Sequence, residues 1–216
     1  MNKNLEEIIK IYCTKSHKEL SSYLIDSSKD SLIATLLDLL TIYTNDKNSS
    51  FIREFITVSI AGYSHNTSKI GYNGFKQAID GKPINCEAKP KNIERTGANK
   101  LNGGGNFTDY TFARFNKHKD ENFNMLISGF VDGQLLYILE FPFNSKPFTD
   151  KLEVQLRRRF PAGDRTGEYL RSASFDFKDY KDAENLKVIY KIEKEKADEF
   201  RSLVRRNLFE FLWGNV

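Results

Sequence analysis

The chain has 216 residues, 39% of them hydrophobic, and its 33 Lys and Arg against 29 Asp and Glu give a net charge of +4. That length suits one sizeable core; no apolar run approaches the roughly 20 residues needed to cross a membrane, and the opening MNKNLEEIIK has no signal-type apolar block, so a cytoplasmic protein is expected. Two cysteines (Cys13, Cys86) and three scattered histidines argue against a disulfide framework and a zinc site, and so mild a basic excess permits an anionic partner without requiring one.

From the N-terminus, Leu32, Leu36, Leu37, Leu40 and Tyr43 recur at helical spacing behind the N-cap candidates Ser27, Ser28 and Asp30. The polar stretch TNDKNSS follows, then FIREFITVSIAGY, helical by spacing, with Phe51, Phe55, Val58 and Ala61 or Gly62 on one side. YNGFKQAID and KPINCEAK flank Asp80-Gly81, a favoured hairpin dipeptide. PKNIERTGANKLNGGGN reads as a long polar loop, and FTDYTFARFNKH as a short helix beginning near Thr108 or Asp109. FNMLISGFVDGQLLYILEFPF is a second hairpin, turning on Asp132-Gly133. LEVQLRRRF is ambiguous, whereas SASFDFKDY and LKVIYKI alternate as strands. A final helix is expected from about Glu193 to Trp213, striped by Phe200, Leu203, Val204, Leu208, Phe211 and Leu212. No repeat or long linker divides the chain, so 1–216 reads as one α/β domain with a helical part over 1–50.

The first hairpin raises a chemical question. Residues two apart on a strand share a face, so Glu87 and Lys89 project together while Cys86 and Ala88 face the core. Pro90, lacking an N–H, is expected to help end the strand. With Asp80 and Gly81 as the two turn residues, Glu87 lies opposite Gly74 and diagonal to Asn73. A carboxylate beside an amide oxygen is a hard-oxygen pair suited to Mg²⁺, and a neighbouring lysine stabilises developing negative charge or orients a water. These are the parts needed for metal-assisted hydrolysis of a phosphodiester. The plain alternative is a solvated cross-strand ion pair.

The run GYNG…INCEAK resembles the core of the PD-(D/E)xK nuclease superfamily, and more closely its type II restriction endonucleases. The resemblance spans roughly Phe51 to Phe143. It implies a restriction-endonuclease-like fold, a central mixed β-sheet flanked by helices, with 51–143 as catalytic core and 144–216 as a DNA-recognition and C-terminal helix region. It also implies that Glu87 and Lys89 are the E-x-K pair, that Asn73 stands where an Asp is expected, and that Glu54 of FIREF is the helix acid. Glu87 and Asn73 would then hold Mg²⁺, and the expected activity is sequence-specific cleavage of double-stranded DNA by a homodimer. The Asn73 departure leaves three accounts open: a branch that tolerates Asn, a substitution that disables cleavage, or a different hairpin register. The alternative function is a nuclease-like protein that binds DNA without cutting it.

Candidate DNA contacts gather in two places. In the polar loop, Arg95, Lys100, Asn102 and Asn106 surround LNGGGN, which lacks the Gly-Lys-Ser/Thr ending of a nucleotide-binding loop and reads as a flexible turn. In RRRFPAGDRTGEYLR, Arg157, Arg158, Arg159, Arg165 and Arg171 are suited to phosphate and guanine, or else to a solvated basic face.

Overall fold

The computed structural model describes residues 5, 7–8, 11, 14, 16–45, 50–66, 71–78 and 81–214; Cys13 and Asp80 fall outside them. By contacts the chain divides into two compact units, 1–50 and 51–216. Among the described residues no helix is long and apolar enough to cross a membrane.

The first unit carries α1 (His17–Ile25) and α2 (Lys29–Asn45). A capping box starts α1: Ser16 Oγ accepts the Glu19 N–H at 3.3 Å, and Glu19 Oε2 accepts the Ser16 N–H at 3.1 Å. Of the cap candidates for α2, Ser28 is engaged, its hydroxyl accepting from Ser31 N at 3.2 Å. Leu36, Leu37, Leu40 and Tyr43 are all exposed.

The second unit is α/β. Its elements are α3 (Phe51–Ile60), β1 (Ser64–His65), β2 (Gly74–Gln77), β3 (Pro83–Ile93), β4 (Gly105–Tyr110), α4 (Phe112–Glu121), β5 (Asn124–Val131), β6 (Gln134–Pro142), α5 (Lys146–Arg159), β7 (Leu170–Phe175), β8 (Lys187–Lys191), α6 (Lys194–Asp198) and α7 (Arg206–Trp213). Six strands form one mixed sheet in the order β1-β2-β3-β5-β6-β8, and β4 and β7 form a separate antiparallel ribbon. Among the described strands, β3 and β5 are the one pair that runs parallel. The Asp132-Gly133 turn joins β5 to β6 as expected. β5 is buried along nearly its whole length, which is why it reads NMLISGFV without alternation.

One face of the sheet packs Cys86, Ala88 and Leu126 against Val58 and Tyr63 at the end of α3. The other face joins a large aromatic core in which Phe107, Tyr110, Phe115, Phe123, Phe141, Phe143 and Phe148 are each at most 2% exposed. Each such side chain contributes about 1.5–3 kcal/mol on burial.

Several expectations from the sequence are corrected. Phe107 lies in a strand, and helix α4 begins after the N-cap Thr111, whose hydroxyl accepts from Arg114 N at 3.2 Å. Asp109, at φ 51°, turns the strand so that Phe107 and Tyr110 both enter the core; that produces the three-residue apolar spacing of a helix. LEVQLRRRF, ambiguous by pattern, is helical through Arg159, with Phe160 as the C-cap of α5. The C-terminal helix is broken: Val204 bridges to Leu101, with Leu101 N donating to Leu203 O and Arg205 N to Leu101 O, both at 2.8 Å. On α3 the buried residues are Arg53, Thr57 and Val58, whereas Phe51 and Phe55 are exposed and meet the His65 ring edge-on at 5.2 and 5.5 Å.

The first hairpin exists, but its strands are second and third in the sheet, and its register is shifted by one. Gly74 pairs with Cys86, not Glu87. Gly81, at φ 78°, takes the left-handed turn conformation, and its N–H donates to Ala78 O at 2.9 Å. Nor does Pro90 end β3, which continues to Ile93 beside β5. Ala88 N points to the β2 side of β3, since its partner there is Asn73. Pro90, two residues on, would direct its N–H to the same side, where β2 has no further paired residue. The missing donor therefore costs no ladder bond.

Candidate active site

Glu87, Lys89 and Lys91 alternate along β3 and share the face opposite Cys86 and Ala88. Lys89 Nζ donates to Glu87 Oε1 at 2.6 Å, and the two side chains are only 21% and 15% exposed. The pair is thus a largely desolvated ion pair rather than a solvated edge contact. Among the described residues Glu87 Oε2 has no hydrogen-bond partner.

Lys89 is placed from above. Its ammonium lies 4.9 Å from the centre of the Phe107 ring, a cation–π contact. A Cβ at Gly105 would come within 2.9 Å of Lys89 Cβ and 2.9 Å of Phe175 Cζ. The triple glycine is therefore a packing feature rather than a flexible turn: Gly103 holds φ 65° and is buried with Gly104, and Gly105 lets the β4 backbone close over the lysine.

Asn73 is held at both ends. Its Nδ2 donates to Glu54 Oε2 at 2.9 Å, and its Oδ1 accepts the Ala88 N–H at 2.8 Å. The first contact reaches α3 and the second the open edge of β3, one residue from both Glu87 and Lys89. The structure thus brings Glu54, Asn73, Glu87 and Lys89 to one end of the hairpin. Around Glu87 stand Tyr72 and Tyr110, whose phenols are pushed well above the ordinary range, chiefly by burial; the Glu87 charge adds to both shifts. Tyr72 O–H also donates to Glu121 of α4. His118 accepts or donates through Nδ1 at 2.9 Å from the Tyr110 hydroxyl. Burial, then the charges of Arg114, Lys89 and Lys117, push its imidazole down to about 3.

The expected DNA-contacting residues separate into groups. Lys100 and Asn102 line a cavity with Lys91, Arg205 and Arg206. Asn102 and Asn106 line an adjoining cleft of ≈ 440 Å³, where Asn106 Nδ2 donates to Ser172 Oγ at 3.1 Å. Arg95 is anchored, its guanidinium 4.6 Å from the Phe200 ring centre and 3.8 Å from Asp132. Arg157 pairs with Glu153 at 2.5 Å, Arg159 with Glu168 at 2.8 Å and Arg165 with Glu168 at 3.7 Å; Arg158 and Arg171 are exposed. The intervening loop is tied down by Asp164, whose carboxylate accepts from Phe112 N and Ala113 N, both at 2.8 Å, at the start of α4.

Three participants lie outside the candidate site residues read from the sequence: Lys91, Arg205 and Glu121. Lys91 was legible as the next residue on the Glu87–Lys89 face. Arg205 and Glu121 reach the region only through long-range packing. A second buried network lies on the other face of the sheet. There Asn124 Nδ2 donates to Tyr63 O–H at 2.8 Å and Glu140 Oε1 at 3.2 Å, and Lys76 lies 3.7 Å from Glu140.

Magnesium chemistry asks for hard oxygens: one or two from the protein, with water and phosphate completing the shell. Glu87 Oε2 and the second lone pair of Asn73 Oδ1 fit that demand. Among the described residues there is no group of three or more His, Cys, Asp and Glu that could hold a metal ion, so a full protein cage is not what these residues offer. No protein-family model matches the chain, and no curated protein gives a significant match.

Proposed function

We propose that the protein is a Mg²⁺-dependent, site-specific endonuclease of double-stranded DNA, of the type II restriction kind, acting as a homodimer on a two-fold site. The observation that carries this reading is the Glu87–Lys89 pair, held 2.6 Å apart and mostly buried beside the Asn73–Glu54 contact. A structural salt bridge so desolvated offsets much of its Coulomb gain, which makes a chemical role the better account. The arrangement of helix acid, strand-start amide and E-x-K follows the order of the nuclease core that the sequence resembles.

In this reading Glu87 and Asn73 Oδ1 would hold the ion. Bound Mg²⁺ polarises a phosphoryl oxygen and lowers the pKa of a coordinated water. Lys89 supplies a positive charge at the phosphate or orients the attacking water, and its stem is fixed by Phe107 and Gly105. Asn73 and Glu54 position the strand edge that carries both groups. Lys89 donates to Glu87 Oε1 through one N–H, and its ammonium has further donors with which to meet a phosphate.

A second reading, DNA binding without cleavage, is favoured by the commitment of Asn73 to Glu54 and Ala88. Incubating the protein with long unmethylated DNA, with Mg²⁺ or with EDTA, separates the two. Discrete fragments appearing only with Mg²⁺ support the endonuclease; a salt-sensitive gel shift without fragments supports the second reading.

A further inference from the structure

Lys91 extends the Glu87–Lys89 face by one more step of roughly 7 Å along β3. Its surroundings differ from those of Lys89. Beside it is a cavity of ≈ 570 Å³ lined by Lys91, Asn99, Lys100, Asn102, Arg205 and Arg206. Four of those side chains are cationic, and no acidic side chain lines the space. Arg206 is partly balanced by Glu210 at 2.7 Å. Lys91 instead donates to an uncharged amide, Asn102 Oδ1, at 3.2 Å.

The cations are assembled by specific backbone contacts rather than by a run in the sequence. The Leu101–Val204 bridge and the Arg205 N–H to Leu101 O bond at 2.8 Å pin Arg205 beside the 99–102 segment. Asn102 Oδ1 also accepts from Gly104 N at 3.2 Å, which fixes the amide that receives Lys91. The Lys91 amine is half-buried, and its pKa is lowered first by burial and then by the charge of Arg205. Holding an amine against a guanidinium without an acid between them is unfavourable, and a bound anion relieves it. Arginine offers a planar fork of donors and lysine a point charge, the two usual partners of a phosphate. The first residue of α7 lines the same cavity and adds the positive end of that helix.

We propose that Lys91, Lys100 and Arg205, with Asn102 orienting Lys91, form a phosphate-binding subsite that takes a backbone phosphate of the DNA duplex adjoining the one presented to Lys89. The inference rests on the endonuclease reading for the identity of the phosphate's owner, whereas the subsite itself rests on the cavity. It sets the register of the duplex on β3 without reading bases.

The test is duplex binding by fluorescence anisotropy in EDTA, over a salt series, for the wild type and for Lys100→Ala, Arg205→Ala and Lys91→Met, the last keeping the buried stem. Each variant is expected to weaken binding of unrelated duplexes to a similar extent and to reduce the slope of log affinity against log salt by about 0.9 per lost contact. Inorganic phosphate should raise the melting temperature of the wild type and lose that effect in the variants. Unchanged slopes in all three folded variants overturn the subsite, even when the wild type cuts DNA. Protection by inorganic phosphate without any duplex binding overturns the assignment to DNA. Reduced slopes in the variants of a protein that never cuts DNA leave the subsite standing and remove the endonuclease reading.

Discussion

Replacing Asn73 by Asp tests how the hairpin end is wired. The substitution keeps the oxygen that accepts the Ala88 N–H but turns the Nδ2 donor, 2.9 Å from Glu54 Oε2, into a carboxylate oxygen. A hydrogen bond to a charged acceptor, valued at about 1.5–3 kcal/mol, is lost. In its place two carboxylates face each other; at about 4 Å after relaxation and an effective dielectric near 20, their repulsion is about 4 kcal/mol. Solvent and side-chain motion reduce that figure, so the expected destabilisation in EDTA at pH 8 is about 2–4 kcal/mol. One of the two acids then holds a proton more tightly in the folded state than in the unfolded one. The folded variant therefore binds more protons, and its stability deficit shrinks as pH falls through that raised value. Saturating Mg²⁺ should return about 2.7 kcal/mol at a hundred times its Kd. Urea unfolding followed by tyrosine and tryptophan fluorescence, in EDTA and in Mg²⁺, reads both effects. A variant as stable as the wild type in EDTA refutes the Asn73–Glu54 contact; a deficit that Mg²⁺ does not relieve refutes a metal site at this end of the hairpin.

Gly105→Ala forces a methyl to within 2.9 Å of Lys89 Cβ; a thermal melt should show a loss of about 1–3 kcal/mol, while cleavage falls by more than the melt accounts for. Folded His118 stays neutral down to about pH 3, whereas the unfolded chain protonates it near the usual 6.5. The unfolded state thus binds more protons across that window, and stability should fall with falling pH by up to about 1.4 kcal/mol per unit; His118→Gln should flatten this dependence in denaturant melts between pH 4 and 7. Asp164→Ala removes two N-terminal hydrogen bonds of α4, and should cost about 1–2 kcal/mol with little change in duplex affinity by anisotropy.

Local pattern carried the central features of the site. Glu87 and Lys89 were legible as one face of a strand because period-two alternation and the Cys86–Ala88 core positions agree. The β5–β6 hairpin was legible from Asp132-Gly133. The register of the first hairpin was not, because its turn was counted as two residues while Gly81 takes the left-handed position of a longer one. β4 was concealed by Asp109, whose positive φ sets Phe107 and Tyr110 at helical spacing. The break before α7 had no local signal: no glycine or proline lies between Glu193 and Trp213, and the Leu101 pairing that produces it is some hundred residues away. For the same reason no local pattern marks Arg205 as lining a cavity.

The pairing of Glu87 with Lys89 for chemistry is tested most directly by parallel cleavage and binding assays on Glu87→Gln and Lys89→Ala with long unmethylated DNA in Mg²⁺. Both variants keep the strand and lose one half of the 2.6 Å contact. The account predicts that the wild type yields discrete fragments, that both variants lose cleavage by at least about a hundredfold, a scale typical of removing one catalytic donor or base, and that both still bind the duplex. Normal cleavage by both variants would contradict it and leave the pair as a buried salt bridge.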